Sequence, residues 1–153
     1  MSMKERFRLI PPSPLHEEVK AYAVSYSLSR EKEIVSAELR RFAADLMKSI
    51  SDACIRRGAK VIGHIKAYIE HGSGFLHAST VGESADVTVN GRDGDPVTRF
   101  TLVVNSIVYG LPEELIKNAT EKAVEETASA FELKITMVSQ ALTADLTERG
   151  EKA

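Results

Sequence analysis

The stretch VIGHIKAYIEHGSGFLHASTV, residues 61–81, decides the architecture. Gly72-Ser73 sits between two runs rich in β-branched and aromatic residues, and a glycine in the first central position is what a two-residue hairpin turn requires. The runs read as strands over 60–71 and 74–89. Counting outward from the turn pairs His71 with Gly74, Tyr68 with His77, Lys66 with Ser79 and His64 with Val81, and directly paired residues share a face. One face then carries His64, Lys66, Tyr68, Glu70, Phe75, His77 and Ser79. The other carries Val61, Ile65, Ala67, Ile69, Leu76 and Ala78 and is the expected core side.

Upstream, residues 19–28 show a period of two: Val19, Ala21 and Ala23 alternate with Lys20, Tyr22, Val24 and Tyr26, as in a strand. Ser29 followed by Arg30, Glu31 and Lys32 reads as a helix N-cap with an acidic first turn. Val35, Leu39, Phe42, Leu46, Ile50 and Cys54 then recur at helical spacing until Gly58, where a left-handed C′ residue is expected. Downstream, Asn90-Gly91 and Asp93-Gly94 before Pro96 predict a loop. Asp93 and Asp95 lack the ligand series and terminal glutamate of a calcium loop. A further strand follows over 97–109, then a helix with Pro112 at its N1 position and an apolar stripe of Leu115, Ile116, Ala119, Ala123 and Val124. Phe131, Leu133, Ile135 and Met137 alternate with polar residues and predict a closing strand.

Each helix has one apolar stripe, so both must cover the same side of a largely antiparallel sheet. The fold class is therefore α+β: a ferredoxin-like split βαβ plan with about five strands and two helices on one face. The other sheet face is left for solvent, a ligand or a second subunit. The expected organisation is a Pro-rich arm over 1–17, with Pro11, Pro12 and Pro14, one domain over 18–142, and a polar tail over 143–153.

Composition narrows the function. A chain of 153 residues with 43% apolar and 27% charged side chains has the balance of an ordinary one-domain globular protein. A net charge of −2 gives no global field for a polyanion, so nucleic acid is not the expected partner, although a local patch is not excluded by it. No apolar run reaches the roughly 20 residues of a membrane span, and the first residues lack the apolar core of a signal peptide. A cytoplasmic protein with no membrane partner is expected. Cys54 lies on an apolar helix stripe and reads as a small hydrophobe, not a nucleophile.

No nucleotide-binding glycine loop, zinc-protease motif, paired-cysteine motif or serine-hydrolase elbow occurs, so no catalytic residue and no cofactor is assigned. His64 and His77 tempt a metal reading. In the counted register, however, four strand positions separate His64 from the partner of His77, about 13 Å at roughly 3.3 Å per residue. No metal site is assigned. A small polar or anionic ligand suits the same face better, because Lys66, Tyr68, His77 and Ser79 bring an ammonium, a phenol, an imidazole and a hydroxyl together, with His64 nearby. Cross-strand polar pairs on a solvated sheet, or burial in a subunit interface, account for the same residues without a ligand.

Gly58-Ala59-Lys60-Val61-Ile62-Gly63-His64-Ile65-Lys66, then Ser79-Thr80-Val81-Gly82 and Asn105-Ser106-Ile107-Val108-Tyr109-Gly110, resemble the region after the GTPase domain in CobW-type GTP-binding proteins. That family is associated with metal-cofactor handling. Its nucleotide loop and cysteine-bearing metal motif have no counterpart here, so the resemblance implies a stand-alone accessory or interaction domain and transfers no catalytic residue. The expected function is a non-catalytic binding module that forms homo-oligomers through its sheet, where Val103, Ile107 and Tyr109 share one alternation. The alternative is a small enzyme with an interface site using His64 or His77 as acid or base.

Overall fold

Hairpin pairing from His64–Val81 to His71–Gly74 is in the register counted from the sequence, and Gly72 takes a φ of +62° in the turn. The computed structural model describes residues 19–81 and 86–141, with the side chain of Ala141 left aside. Around the hairpin strands, β2 (Val61–His71) and β3 (Gly74–Val81), the chain adds β1 (Val19–Ile34), α1 (Ser36–Arg56), β4 (Val87–Arg92), β5 (Val97–Tyr109), α2 (Glu113–Ala130) and β6 (Lys134–Ala141). The readings for the arm, the tail and residues 82–85 lie outside the described residues.

All strand pairs are antiparallel, in the order β4-β3-β2-β5-β1-β6. β1-α1-β2 is one split βαβ unit with β5 between its strands, and β5-α2-β6 is a second with β1 between its strands. The α+β, ferredoxin-like plan holds, with six strands instead of about five. The extra strand arises because the run over 74–89 is two elements: β3 ends at Val81 and β4 returns beside it, pairing Asn90 with His77 and Arg92 with Phe75. Asn90 and Gly91 therefore belong to a strand, not to the predicted loop.

Both helices lie on one sheet face and enclose the core. Phe42 of α1 meets Phe100 and Phe131 edge to face, each at 5.5 Å, in geometries that aromatic quadrupoles favour. Cys54 is fully buried there, and burial pushes its thiol up to about 11, consistent with a small hydrophobe. Among the described residues no helix is long and apolar enough to cross a membrane.

Four local expectations are corrected. First, β1 continues to Ile34, which pairs with Val97, and α1 begins only at Ser36 after Val35. The segment after Ser29 is held extended by Arg30, whose guanidinium donates to the carbonyls of Lys32, Glu33 and Phe131 and to the Glu38 carboxylate. These tertiary bonds override a weak local helix preference. Second, Val61 is 41% exposed, not in the core, whereas Ile62 is buried. A register shift at Gly63 between Ile62–Val108 and His64–Ile107 is the reason: one extra residue in a strand reverses the faces beyond it.

Third, Pro112 occupies the N-cap, one position before the expected one, and its carbonyl accepts from the N–H groups of Leu115 and Ile116. Fourth, the closing strand starts at Lys134. Phe131 and Glu132 instead terminate α2, with Glu132 N–H bonding Ser129 O and Leu133 N–H bonding Ala128 O. This is the Schellman pattern that also closes α1, where Gly58 N–H bonds Ile55 O and Ala59 N–H bonds Cys54 O. The predicted Ile135–Met137 alternation fails as well. Register slips at Thr136, between Ser27–Met137 and Leu28–Ile135, and Met137 is left 65% exposed.

Candidate functional site

Alternation along β2 and β3 puts Ile65, Ala67, Ile69, Leu76 and Ala78 under the helices, so His64, Lys66, Tyr68, His77 and Ser79 stand on the uncovered face. Four of these five line one shallow pocket of about 360 Å³: Lys66, Tyr68, His77 and Ser79. Two cross-strand pairs build it. Lys66 is opposite Ser79, and Tyr68 is opposite His77. His64 does not line it. The bulge at Gly63 places His64 between Val81 and Ile107 at the end of the face, so the two histidines are not brought together. A Cβ at Gly63 would lie 2.9 Å from Ile107 O, so close backbone approach and bulge occur at the same residue.

Flanking strands complete the pocket with Asn90 from β4, and Val103 and Asn105 from β5. Asn105 pairs with Lys66, and Asn90 with His77. None of these three appears in the sequence-derived set. The turn-like dipeptide Asn90-Gly91 hid the first. For the others the only signal was alternation along 97–109, which says nothing about which strand lies beside β2.

The pocket is a charge-poor site of positive sign. Among the described residues no carboxylate lines it, and Lys66 contributes an ammonium. Tyr68 and His77 rings are 4.7 Å apart and tilted by 50°. The Asn105 Oδ1 is out of solvent with no hydrogen-bond partner among the described residues. Buried acceptors are normally satisfied, so this one has spare capacity for a donor. Such an arrangement can bind an anion and a flat apolar group side by side.

Other polar features serve the fold. Arg40 pairs with Asp93 at 2.8 Å, and Ser36 Oγ both accepts from Gly94 N–H and donates to Gly94 O, which fastens the 93–95 loop to the start of α1. Tyr22 and Gln140 both donate to Glu121 Oε1, joining β1 and β6 to α2. Among the described residues no group of three or more His, Cys, Asp or Glu side chains is placed to hold a metal ion.

No protein-family model matches the chain, and no curated protein matches it significantly. Among solved structures it is similar to the Zn(II)-bound YjiA GTPase from E. coli, a CobW-family protein, at 17% identity and a TM-score of 0.35. A Zn(II)-bound triple mutant of YjiA matches at 16% identity and a TM-score of 0.32. Each match covers 69% of this chain and 30% of that chain. That protein is of the family which residues 58–66, 79–82 and 105–110 resemble.

Proposed function

We propose that this chain is a non-catalytic binding module whose uncovered sheet face takes a small polar or anionic ligand at Lys66, Tyr68, His77 and Ser79. The observation that carries the reading is the shared pocket: four side chains chosen by strand register line one cavity, with a lysine and, among the described residues, no carboxylate in its walls. A pocket of this size suits a small molecule, and a single ammonium attracts a small anion without the multiple phosphate contacts of a polymer. His64 supplies a nearby imidazole outside the pocket.

We further infer self-association through the same sheet. Val103 is 43% exposed, Val61 and Val81 are 41% and 47% exposed, and Ile107 and Tyr109 lie on the same uncovered face. Exposed apolar side chains grouped on one face are a feature of association surfaces.

A 15N-labelled chain titrated with inorganic phosphate tests the ligand half. Shifts concentrated at Lys66, Ser79 and His77, and lost in Lys66→Met, are expected. Shifts that persist unchanged in Lys66→Met overturn it. Sedimentation at high micromolar concentration tests the other half, which a strict monomer overturns.

A further inference from the structure

The three kinds of wall around this pocket specify more than a negative charge. One wall is aromatic, formed by Tyr68 and His77. It is braced from behind by Phe75, which stacks on Tyr68 at 6.4 Å and meets His77 edge-on at 5.5 Å, while the Arg92 guanidinium carbon lies 5.7 Å from the Phe75 ring centre. Phe75 and Arg92 do not line the pocket. They hold the rings that do, so a ligand meeting this wall loses little side-chain freedom in ordering it.

The second wall is the Lys66–Ser79 pair, an ammonium beside a hydroxyl. The third is a pair of carboxamides on the strands that flank the hairpin, Asn90 of β4 and Asn105 of β5. Asn105 Oδ1 is buried and without a partner among the described residues, which costs free energy that a ligand N–H would recover. An aliphatic anion would satisfy Lys66 and leave the rings and Asn105 unused. An uncharged ring would do the reverse.

We propose that the pocket binds a flat heteroaromatic anion: its ring rests against Tyr68 and His77, a ring N–H donates to Asn105, and its carboxylate or phosphate sits on Lys66 and Ser79. This rests on the anion-binding reading and narrows it to a ligand class. A cavity of about 360 Å³ has room for one ring system with one charged substituent.

Four probes separate the contributions in titrations of the labelled full chain: orotate, which is flat, anionic and has ring N–H groups; benzoate, flat and anionic without N–H; cyclohexanecarboxylate, anionic and not flat; and inorganic phosphate. Orotate binds tightest, benzoate about tenfold more weakly, and cyclohexanecarboxylate about threefold more weakly again. Tyr68→Leu erases the difference between benzoate and cyclohexanecarboxylate, whereas Tyr68→Phe keeps it. Asn105→Ala brings orotate to the level of benzoate. Equal binding of all four probes, still abolished in Lys66→Met, overturns the ligand class and leaves the anion site standing. If none of them, phosphate included, perturbs Lys66 or Ser79, both readings fall together.

Discussion

Arg30 and Phe131, 101 residues apart in sequence, are joined by a 2.7 Å hydrogen bond from the guanidinium Nη1 to the main-chain carbonyl at the end of α2. The same guanidinium pairs with Glu38 in the first turn of α1 at 2.6 Å, and its side chain is only 7% exposed. One residue thus ties the last turn of one helix to the first turn of the other. Glu38 is held below the usual carboxylate range chiefly by its hydrogen bond to Arg30. Arg30→Met should destabilise the fold by about 2–4 kcal/mol, since it strands a carboxylate and a helix-end carbonyl. Urea unfolding checks this, and a loss under about 0.5 kcal/mol would show the clamp to be ornamental.

Glu132 has a φ of +58° in the left-handed C′ position of α2, where a side chain is strained and glycine is not. Glu132→Gly should stabilise the protein by up to about 1 kcal/mol, less whatever attraction to Arg30 is lost. A raised melting temperature is the expected outcome. An unchanged or lower one would mean that the charge matters more than the backbone.

His71 is fully buried, and both ring nitrogens lack partners among the described residues. Burial lowers its pKa most, with Asp93 opposing and Arg40 adding to that shift. The folded state therefore holds His71 neutral. Above about pH 6.5 the unfolded chain also has it neutral, so it adds no pH dependence. As pH falls below that value the unfolded state takes up a proton that the folded state refuses, and stability drops until the folded pKa is reached. Denaturation at pH 7.5 and pH 5.5 should show this loss, and His71→Leu should reduce it. An identical slope in the variant would place the effect elsewhere.

Gly74 lies against His71, and a Cβ there would come within 2.6 Å of Arg92 O and 2.7 Å of Gly94 N. Gly74→Ala should cost about 2–3 kcal/mol, because rigid backbone and not a flexible chain end stands in the way. Gly58→Ala is a useful contrast: nothing lies within 4 Å of its Cβ, so only its φ of +102° resists the change. Parallel thermal melts of the two separate clash from backbone strain.

The hairpin was legible in the sequence because its turn and its alternation specify the same register, and Lys66, Tyr68, His77 and Ser79 follow from that register alone. The long stripe of α1 was legible for a similar reason, since Leu39, Phe42, Leu46, Ile50 and Cys54 are all buried. The missed features depend on distant partners. Arg30 looks like the first turn of a helix until Phe131 and Glu38 are placed beside it. Val61 and Met137 belong to the expected alternations, but bulges at Gly63 and Thr136 break them. Asn105 enters the pocket only because β5 lies beside β2, a neighbour relation that local patterns do not encode.

That neighbour relation has a consequence for the chain as a whole. β5 fills the gap between β1 and β2, and β1 fills the gap between β5 and β6, so each half of the molecule supplies the central strand of the other. Neither half can be inherited, expressed or cleaved off as a working unit, since each alone would be a sheet with a hole at its centre. A nick in a surface connection would leave two pieces clasped like interlocked fingers, which should purify together and part only when the whole fold melts.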